Sequence, residues 1–185
     1  MLESYSPLSS TPPINLSDQL TASQILGDAS FSLRLHPASC EAASRCFGVD
    51  IPSRIGEVRE HNGRRAVCVG PDEWILATAA SESVEIRKAS RSLEADHHHS
   101  LVEISDRECV IEVGGRSAGY ALMAVCPLDL EAMASGTAVR TLFDRADVLI
   151  IKQAPERYRV AFLRSWSSHV WGLLAVIGRE IATGL

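Results

Sequence analysis

Residues 101–130, LVEISDRECVIEVGGRSAGYALMAVCPLDL, decide the fold of this chain. The segment starts with apolar residues, passes through the polar pair Ser105-Asp106, and continues with the run at 109–113, whose β-branched residues favour a pleated strand. Gly114-Gly115 permits backbone angles that other residues avoid, and the apolar residues that follow recur at helical spacing. Pro127 cannot continue a helix. The pattern therefore predicts a β-hairpin that leads into a helix packed on the sheet.

The rest of the chain continues this alternation of strands and helices. Predicted elements follow one another as strand, helix, strand, strand, helix and strand, and a similar order then recurs. We therefore predict a mixed α+β fold with antiparallel-rich sheets and packed helices, which could consist of two pseudo-repeated lobes. In this prediction residues 30–185 form a single α+β domain, which could be divided into lobes 30–105 and 106–185.

Residues 1–29 differ from the rest because they are rich in Ser, Thr and Pro and poor in bulky apolar side chains. We predict an extended or flexible N-terminal arm. An arm that becomes ordered by lying along a partner is the alternative, because a segment of this composition can fold when it binds.

Composition excludes several functional classes. The net charge of −5 and the absence of a basic cluster argue against a nucleic-acid partner, since phosphate binding requires grouped Lys and Arg. No apolar run approaches the roughly 20 residues that a membrane span needs. The first basic residue is Arg34, so the N-terminus lacks the charged start of a signal peptide. We therefore expect a cytoplasmic protein whose five cysteines are reduced.

No motif of catalysis or of cofactor binding is present. His97, His98 and His99 are consecutive, and neighbouring side chains on a strand or helix point in different directions, so they are poorly placed to share one metal ion. The cysteines form no C-x-x-C pair. Gly114-Gly115-Arg116 could bind an anion at a helix start, but it matches neither the dinucleotide nor the phosphate-loop pattern. We predict no catalytic, cofactor-binding or metal-binding residue on this chain.

The final helix has an unusually wide apolar surface. Trp166 and Leu173 lie on one stripe, and Trp171 and Leu174 form a second stripe beside it. Such coverage indicates either deep burial within the chain or docking against another chain, and interfaces favour Trp and Arg as anchors. The candidates for partner contact are Trp74, Arg164, Trp166, Trp171 and Leu174.

Four short motifs carry a resemblance to a known family. These are GPDEW at 70–74, EISDR at 103–107, CPLDL at 126–130 and RSW at 164–166. In this order, from about residue 64 to the C-terminus, the sequence resembles the gamma subunit of heterotetrameric sarcosine oxidase.

The resemblance implies a fold similar to the folate-binding domain of aminomethyltransferases, in a shortened form. It implies a non-catalytic structural subunit of a complex that oxidises sarcosine to glycine and passes the methyl carbon to tetrahydrofolate. FAD, FMN, NAD and tetrahydrofolate would then lie on other subunits, with none on this chain. The expected partners are the larger subunits, alpha and also beta. The alternative is a free-standing folate-binding or one-carbon-transfer protein.

Overall fold

Strands dominate the computed structural model, which describes residues 6–184. The strands are β1 (Ile14–Asn15), β2 (Thr21–Ile25), β3 (Asp28–Leu35), β4 (Val58–His61), β5 (Arg64–Gly70), β6 (Glu73–Ala79), β7 (His99–Glu103), β8 (Glu108–Gly114), β9 (Thr137–Phe143), β10 (Ala146–Ala154) and β11 (Arg157–Leu163). The α-helices are α1 (Cys40–Phe47), α2 (Ser83–Glu94), α3 (Ala118–Met123) and α4 (Ser167–Thr183). Short 3-10 turns at Pro37–Ser39, Ala80–Glu82 and Arg164–Trp166 precede α1, α2 and α4.

The chain divides into two compact units. The central unit is Gly27–Ser105, and the terminal unit is Met1–Leu26 with Asp106–Leu185. The central unit contains a five-stranded sheet in the order β4-β5-β6-β3-β7, and the terminal unit contains a six-stranded sheet in the order β1-β2-β8-β11-β10-β9. Every strand pair is antiparallel. The predicted α+β class with antiparallel sheets is confirmed, and the two units meet in sequence at residues 105 and 106, where the predicted lobes also meet.

The two units share one topology. Each runs strand, helix, three strands, helix, and the order β4-β5-β6-β3-β7 corresponds element by element to β9-β10-β11-β8-β2. The correspondence extends to detail, because β5–β6 and β10–β11 both contain a register shift just before a turn that carries a proline, Pro71 or Pro155. The position of β7, which follows α2, is occupied in the terminal unit by β2, which comes from the N-terminus instead.

Side chains on one face of β3 build the core of the central unit. Phe31, Leu33 and Leu35 alternate with more polar residues, so all three point to the same face and are 0–4% exposed. Phe47 from α1 and Ile86 from α2 pack in the same cluster, which covers this face of the sheet. The helix α1 ends at Gly48, whose positive φ of 66° provides the left-handed C-cap that glycine adopts without strain.

The core of the terminal unit lies between its sheet and α4. Val170, Trp171, Leu174 and Ile177 face the sheet and are buried together with strand residues such as Tyr158. The wide apolar surface of the final helix therefore reflects deep burial on one side, which is one of the two explanations offered by the sequence.

The structure corrects the prediction of an N-terminal arm over residues 1–29. Residues 1–5 lie outside the described part of the chain, but Thr21–Ile25 is a strand paired with β8, and β3 already begins at Asp28. Leu20 and Ala22 are 0% and 1% exposed, so this segment belongs to the core of its own chain. The composition was misleading because one leucine and small side chains suffice for this strand, which is held by backbone pairing with β1 on one side and β8 on the other.

The predicted hairpin over residues 101–113 is also wrong. The strand β7 pairs with β3 in the five-stranded sheet, whereas β8 lies in the six-stranded sheet. The Ile104 N–H donates to the Ser30 carbonyl oxygen at 2.8 Å, and the Ser30 N–H donates to the Ser105 hydroxyl at 3.0 Å. These bonds extend the pairing with β3 to the end of the central unit, so Ser105-Asp106 leads the chain into the other sheet.

Candidate interaction surface

Three of the five predicted partner-contact residues are core residues. Trp74 is 1% exposed and its indole Nε1 donates to the Pro52 carbonyl oxygen at 2.7 Å. Trp171 and Leu174 are 8% and 0% exposed and face the sheet of the terminal unit. Their side chains are fully used inside this chain, so the structure corrects the prediction at these positions.

The other two candidates, Arg164 and Trp166, are partly exposed. The Arg164 N–H donates to the Arg107 carbonyl oxygen at 3.0 Å, and its Nη1 donates to the Asp106 carbonyl oxygen at 3.1 Å. Arg164 thus ties the 3-10 turn before α4 to the segment that enters β8. The ring of Trp166 meets the ring of His169 edge to face, with centroids 5.4 Å apart, which is a favourable aromatic geometry.

Trp166 begins an apolar strip along α4. Trp166, His169, Leu173 and Val176 are separated by three, four and three residues, a spacing that places them on one side of the helix. We call these four residues the α4 ridge. Val176 is 42% exposed and the other three are half-buried. Gly172 lies beside the ridge, and an added Cβ there would meet nothing within 4 Å.

Charge is sparse around the α4 ridge. The helix carries Arg179 and Glu180 as its only Asp, Glu, Lys or Arg residues, and neither forms an ion pair within residues 6–184. In the described part of the chain, the one polar side-chain contact of the ridge is the 2.9 Å hydrogen bond between His169 Nε2 and Asp144 Oδ2. Interface cores are poor in charge and rich in aromatic residues, so the α4 ridge has the chemistry of a docking surface.

The glycine pair at the start of α3 offers no anion site. The N–H groups of Gly115 and Arg116 donate to the carbonyl oxygens of Glu156 and Asp18, both at 3.0 Å. The Ser117 N–H donates to the Gln19 carbonyl oxygen at 2.9 Å. The donors that an anion would need are therefore committed to backbone partners, and Gly114-Gly115 serves close packing against the segment at 18–19.

The histidine run links elements of the central unit. His99 Nδ1 lies 2.9 Å from the His97 carbonyl oxygen and donates to it, and Nε2 lies 2.7 Å from the Ser90 hydroxyl. His97 Nδ1 lies 3.0 Å from the Ser39 hydroxyl. Within residues 6–184, no group of three or more His, Cys, Asp or Glu side chains is arranged to hold a metal ion.

Two cysteines of the central unit, Cys40 and Cys68, are poor nucleophiles. Burial raises the pKa of the Cys40 thiol, and the neighbouring Cys68 adds to this effect. Burial also raises the pKa of the Cys68 thiol, against the opposing effect of its 3.2 Å hydrogen bond to the Gly70 carbonyl oxygen. Because the thiolate is the reactive form, these side chains behave as small core residues at neutral pH.

One buried polar cluster was missed from the sequence. Lys152 is 4% exposed, and its Nζ donates to the carbonyl oxygens of Leu130 at 3.0 Å and Glu131 at 2.8 Å. The Tyr158 hydroxyl donates to the same Leu130 carbonyl at 3.3 Å, and the pKa of Tyr158 is raised by burial and by the Glu131 and Asp129 carboxylates. The cluster fixes the CPLDL segment on the sheet. Its only signal in the sequence is a lysine within an apolar strand.

Comparison with known proteins gives one consistent family. A model of the sarcosine oxidase gamma subunit family matches residues 30–180. Sarcosine oxidase subunit gamma from Corynebacterium sp. strain U-96 is 24% identical over 175 residues, covering 86% of this chain and 84% of the relative. The corresponding subunit from Corynebacterium sp. strain P-1 is 24% identical over 131 residues, covering 69% of this chain and 64% of the relative.

Solved structures agree on the fold. A chain of heterotetrameric sarcosine oxidase from Corynebacterium sp. U-96, in complex with pyrrole 2-carboxylate, superposes with a TM-score of 0.81 at 22% identity, covering 89% of this chain and 86% of that chain. The glycine cleavage system aminomethyltransferase T from Bartonella henselae superposes with a TM-score of 0.64 at 9% identity, covering 83% of this chain and 44% of that chain. The predicted likeness to an aminomethyltransferase fold is confirmed.

Proposed function

We propose, on the premise that this chain belongs to the sarcosine oxidase gamma subunit family, that it is a non-catalytic structural subunit of a heterotetrameric sarcosine oxidase. The complex would oxidise sarcosine to glycine and pass the methyl carbon to tetrahydrofolate. The observation that carries the proposal is the family match over residues 30–180, which includes nearly all of the central unit and most of the terminal unit. In support, the backbone donors of the glycine pair, Nδ1 of His97 and both ring nitrogens of His99 have hydrogen-bond partners within the chain.

The chemistry would then belong to the other subunits. We place FAD, FMN, NAD and tetrahydrofolate there and none on this chain, whose backbone donors at Gly115 and Arg116 are already satisfied. The partners would be the larger subunits, alpha first and beta as a further contact.

We assign the α4 ridge, with Arg164 beside it, to the contact with a larger subunit. The ridge combines a partly exposed Trp with the 42% exposed Val176, and within residues 6–184 its side chains form no salt bridge other than that of His169 with Asp144. Aromatic side chains at the centre of an interface carry a large share of its binding free energy. Arg164 supports the ridge, since it holds the turn that positions Trp166.

Val176→Glu tests this contact, with Val84→Glu as the matched control. Both valines are exposed helix residues, 42% and 49% exposed, and Val84 lies on α2 of the central unit. The full chain would be co-expressed with the larger subunits, and the dissociation constant and sarcosine turnover of the complex measured. A charge buried in an apolar contact costs several kcal/mol, so Val176→Glu should weaken binding at least tenfold, whereas Val84→Glu should change it less than about twofold.

Two results would contradict the proposed function. A stoichiometric complex of the larger subunits that forms and turns over fully without this chain would remove its structural role. Binding of tetrahydrofolate to the isolated chain with a micromolar dissociation constant, measured by calorimetry, would instead favour the free-standing folate-binding protein.

We propose that the complex works in the cytoplasm. The five cysteines are free, and the cytoplasm keeps thiols reduced. Among the helices described, none is long and apolar enough to cross a membrane.

A further inference from the structure

The strand β7 lies at the edge of the five-stranded sheet and has an open side. It pairs with β3, and no other strand of residues 6–184 lies beyond it. The Ile104 N–H points toward β3, because it donates to the Ser30 carbonyl. Backbone groups alternate in direction along a strand, so Val102 and Ser100 also point toward β3. The N–H and C=O groups of the residues between them therefore point outward.

A bond on the other side of β3 confirms this alternation. The Leu35 N–H donates to the Asp72 carbonyl oxygen, away from β7, and Leu35 is the register partner of His99. The outward-pointing backbone groups of β7 are consequently those of His99, Leu101 and Glu103. They form the row of donors and acceptors to which an added strand can pair.

The other sheet edges are shorter or carry charge within the strand. The strand β1 has only two residues. The strand β4 carries exposed Arg59 and Glu60, and β9 carries an exposed Arg140 at its centre. Natural proteins use short strands and charges to prevent pairing at an edge. The strand β7 has one charged residue, Glu103, which lies at its end and is paired with Arg87. The rest of β7 is uncharged by Asp, Glu, Lys or Arg, presents Val102, which is 54% exposed, and has neither a proline nor a bulge.

The shared topology of the two units identifies what is missing beside β7. The strand β2 occupies the corresponding position in the terminal unit, and its outer side pairs with β1, through Ile14 opposite Ala22 and Asn15 opposite Thr21. Among residues 6–184, the five-stranded sheet has no counterpart of β1. The same sheet position is therefore filled by an extended segment in one unit and open in the other.

We propose that β7 binds an extended segment of a larger subunit of the oxidase by strand addition. This inference rests on the proposed function, because it takes its partner from the complex. The outward backbone groups of His99, Leu101 and Glu103 would supply the hydrogen bonds. Val102 would contact an apolar side chain of the added segment, since side chains on the same face of neighbouring strands pack together.

Glu103→Pro and Glu103→Ala separate the backbone contribution from the side-chain contribution. Both remove the ion pair between Glu103 and Arg87 and the 3.1 Å hydrogen bond from the Ser105 hydroxyl. Only the proline removes the outward N–H and places a ring where the added strand would lie, while the ladder with β3 is kept because that N–H does not face β3. We expect Glu103→Pro to weaken binding of the full chain to the larger subunits at least tenfold and Glu103→Ala less than threefold.

Hydrogen exchange of the wild-type chain gives an independent readout that needs no variant. The amides of Leu101 and Glu103 should exchange at least tenfold more slowly in the complex, while that of Val102, already facing β3, should change little. Equal binding of the proline and alanine variants would overturn strand addition at β7 but not the proposed function. Unchanged exchange of the amides of residues 101 and 103 in an intact complex would do the same. Failure of the wild-type chain to associate at all would instead overturn the proposed function. Protection at these amides that depends on the concentration of the isolated chain would assign β7 to a second copy and refute the proposed partner.

Discussion

Gly115 is the position where the terminal unit tolerates a side chain least. Its φ is +107°, a region that residues with a Cβ rarely adopt. An added Cβ would lie 2.5 Å from the carbonyl oxygen of Gln19 and 2.7 Å from its carbonyl carbon. Both obstacles are backbone atoms of the segment that leads into β2, so no side-chain rotation can relieve the contact.

The cost of Gly115→Ala can be worked out from these contacts. The backbone conformation alone costs about 1–3 kcal/mol. Relief of the clash requires the segment around Gln19 to move, which strains or breaks the hydrogen bonds from Arg116 and Ser117 to Asp18 and Gln19, each about 1 kcal/mol. We expect the free energy of unfolding to fall by about 3–5 kcal/mol, a large share of the stability of a protein of this size.

Two matched variants separate the cost of the backbone conformation from the cost of the clash. Gly136 has a φ of +78° but nothing within 4 Å of an added Cβ, so Gly136→Ala should cost only the conformational term of about 1–2 kcal/mol. Gly172 lies in the interior of α4 with open space around it, so Gly172→Ala should stabilise the chain by about 0.5–1 kcal/mol.

Urea denaturation of the isolated full chain, followed by circular dichroism, measures all three changes if the slope with denaturant is unchanged. The expected order of stability is Gly172→Ala, wild type, Gly136→Ala and Gly115→Ala. If Gly115→Ala were as stable as Gly136→Ala, the close approach of Gln19 would not restrict this site. The docking of the N-terminal segment on the glycine pair would then be incorrect.

Two further predictions concern buried polar groups of the terminal unit. Lys152→Met leaves the Leu130 and Glu131 carbonyls without their ammonium donor and should lower the free energy of unfolding by about 2–4 kcal/mol. Tyr158→Phe should lower it by only about 0.5–1.5 kcal/mol, because the Leu130 carbonyl keeps its hydrogen bond from Lys152. Equal losses in urea denaturation would contradict this assignment. Burial raises the pKa of Glu108 above its ordinary value of 4.5, so its stabilising contribution is full below pH 4.5 and is lost as the pH rises through the folded-state pKa. The denaturation midpoint of Glu108→Gln should therefore rise relative to wild type between pH 4 and pH 7, and a constant difference between the two proteins would refute this.

Local periodicity predicted most helices and strands correctly because each has one buried face and one open face. Phe31, Leu33 and Leu35 show the strand period, and all three lie in one core cluster. The strand β2 could not be predicted in the same way. Only Leu20 and Ala22 mark its buried side, and its place in the sheet depends on Gly115, which is distant in sequence.

Pairing between strands was not predictable from neighbouring residues. Two strand-like runs separated by Ser105-Asp106 have the pattern of a hairpin, but β7 and β8 enter different sheets because β7 finds its partner in β3, about 70 residues earlier. The apolar surface of the last helix was ambiguous for a related reason. The spacing of Trp166 and Trp171 shows two stripes, and only the position of the sheet decides that Trp171 is buried and Trp166 is not.

The motifs that carry the family resemblance gain a structural explanation from the duplication. In the central unit, GPDEW supplies the turn after β5 and then Trp74, whose indole donates to the Pro52 carbonyl in the segment after α1. In the terminal unit, the corresponding turn at Pro155 leads to Tyr158, whose hydroxyl donates to the Leu130 carbonyl of CPLDL, in the segment after α3. Each unit therefore uses an aromatic donor three residues after a proline to anchor the chain that leaves its first helix. Because Trp74 and the Leu130 carbonyl hold sheet and helix together, GPDEW and CPLDL identify a scaffold. The contacts that we propose with larger subunits use the exposed features of the chain, the α4 ridge and β7, which include Trp166 of RSW and Glu103 of EISDR.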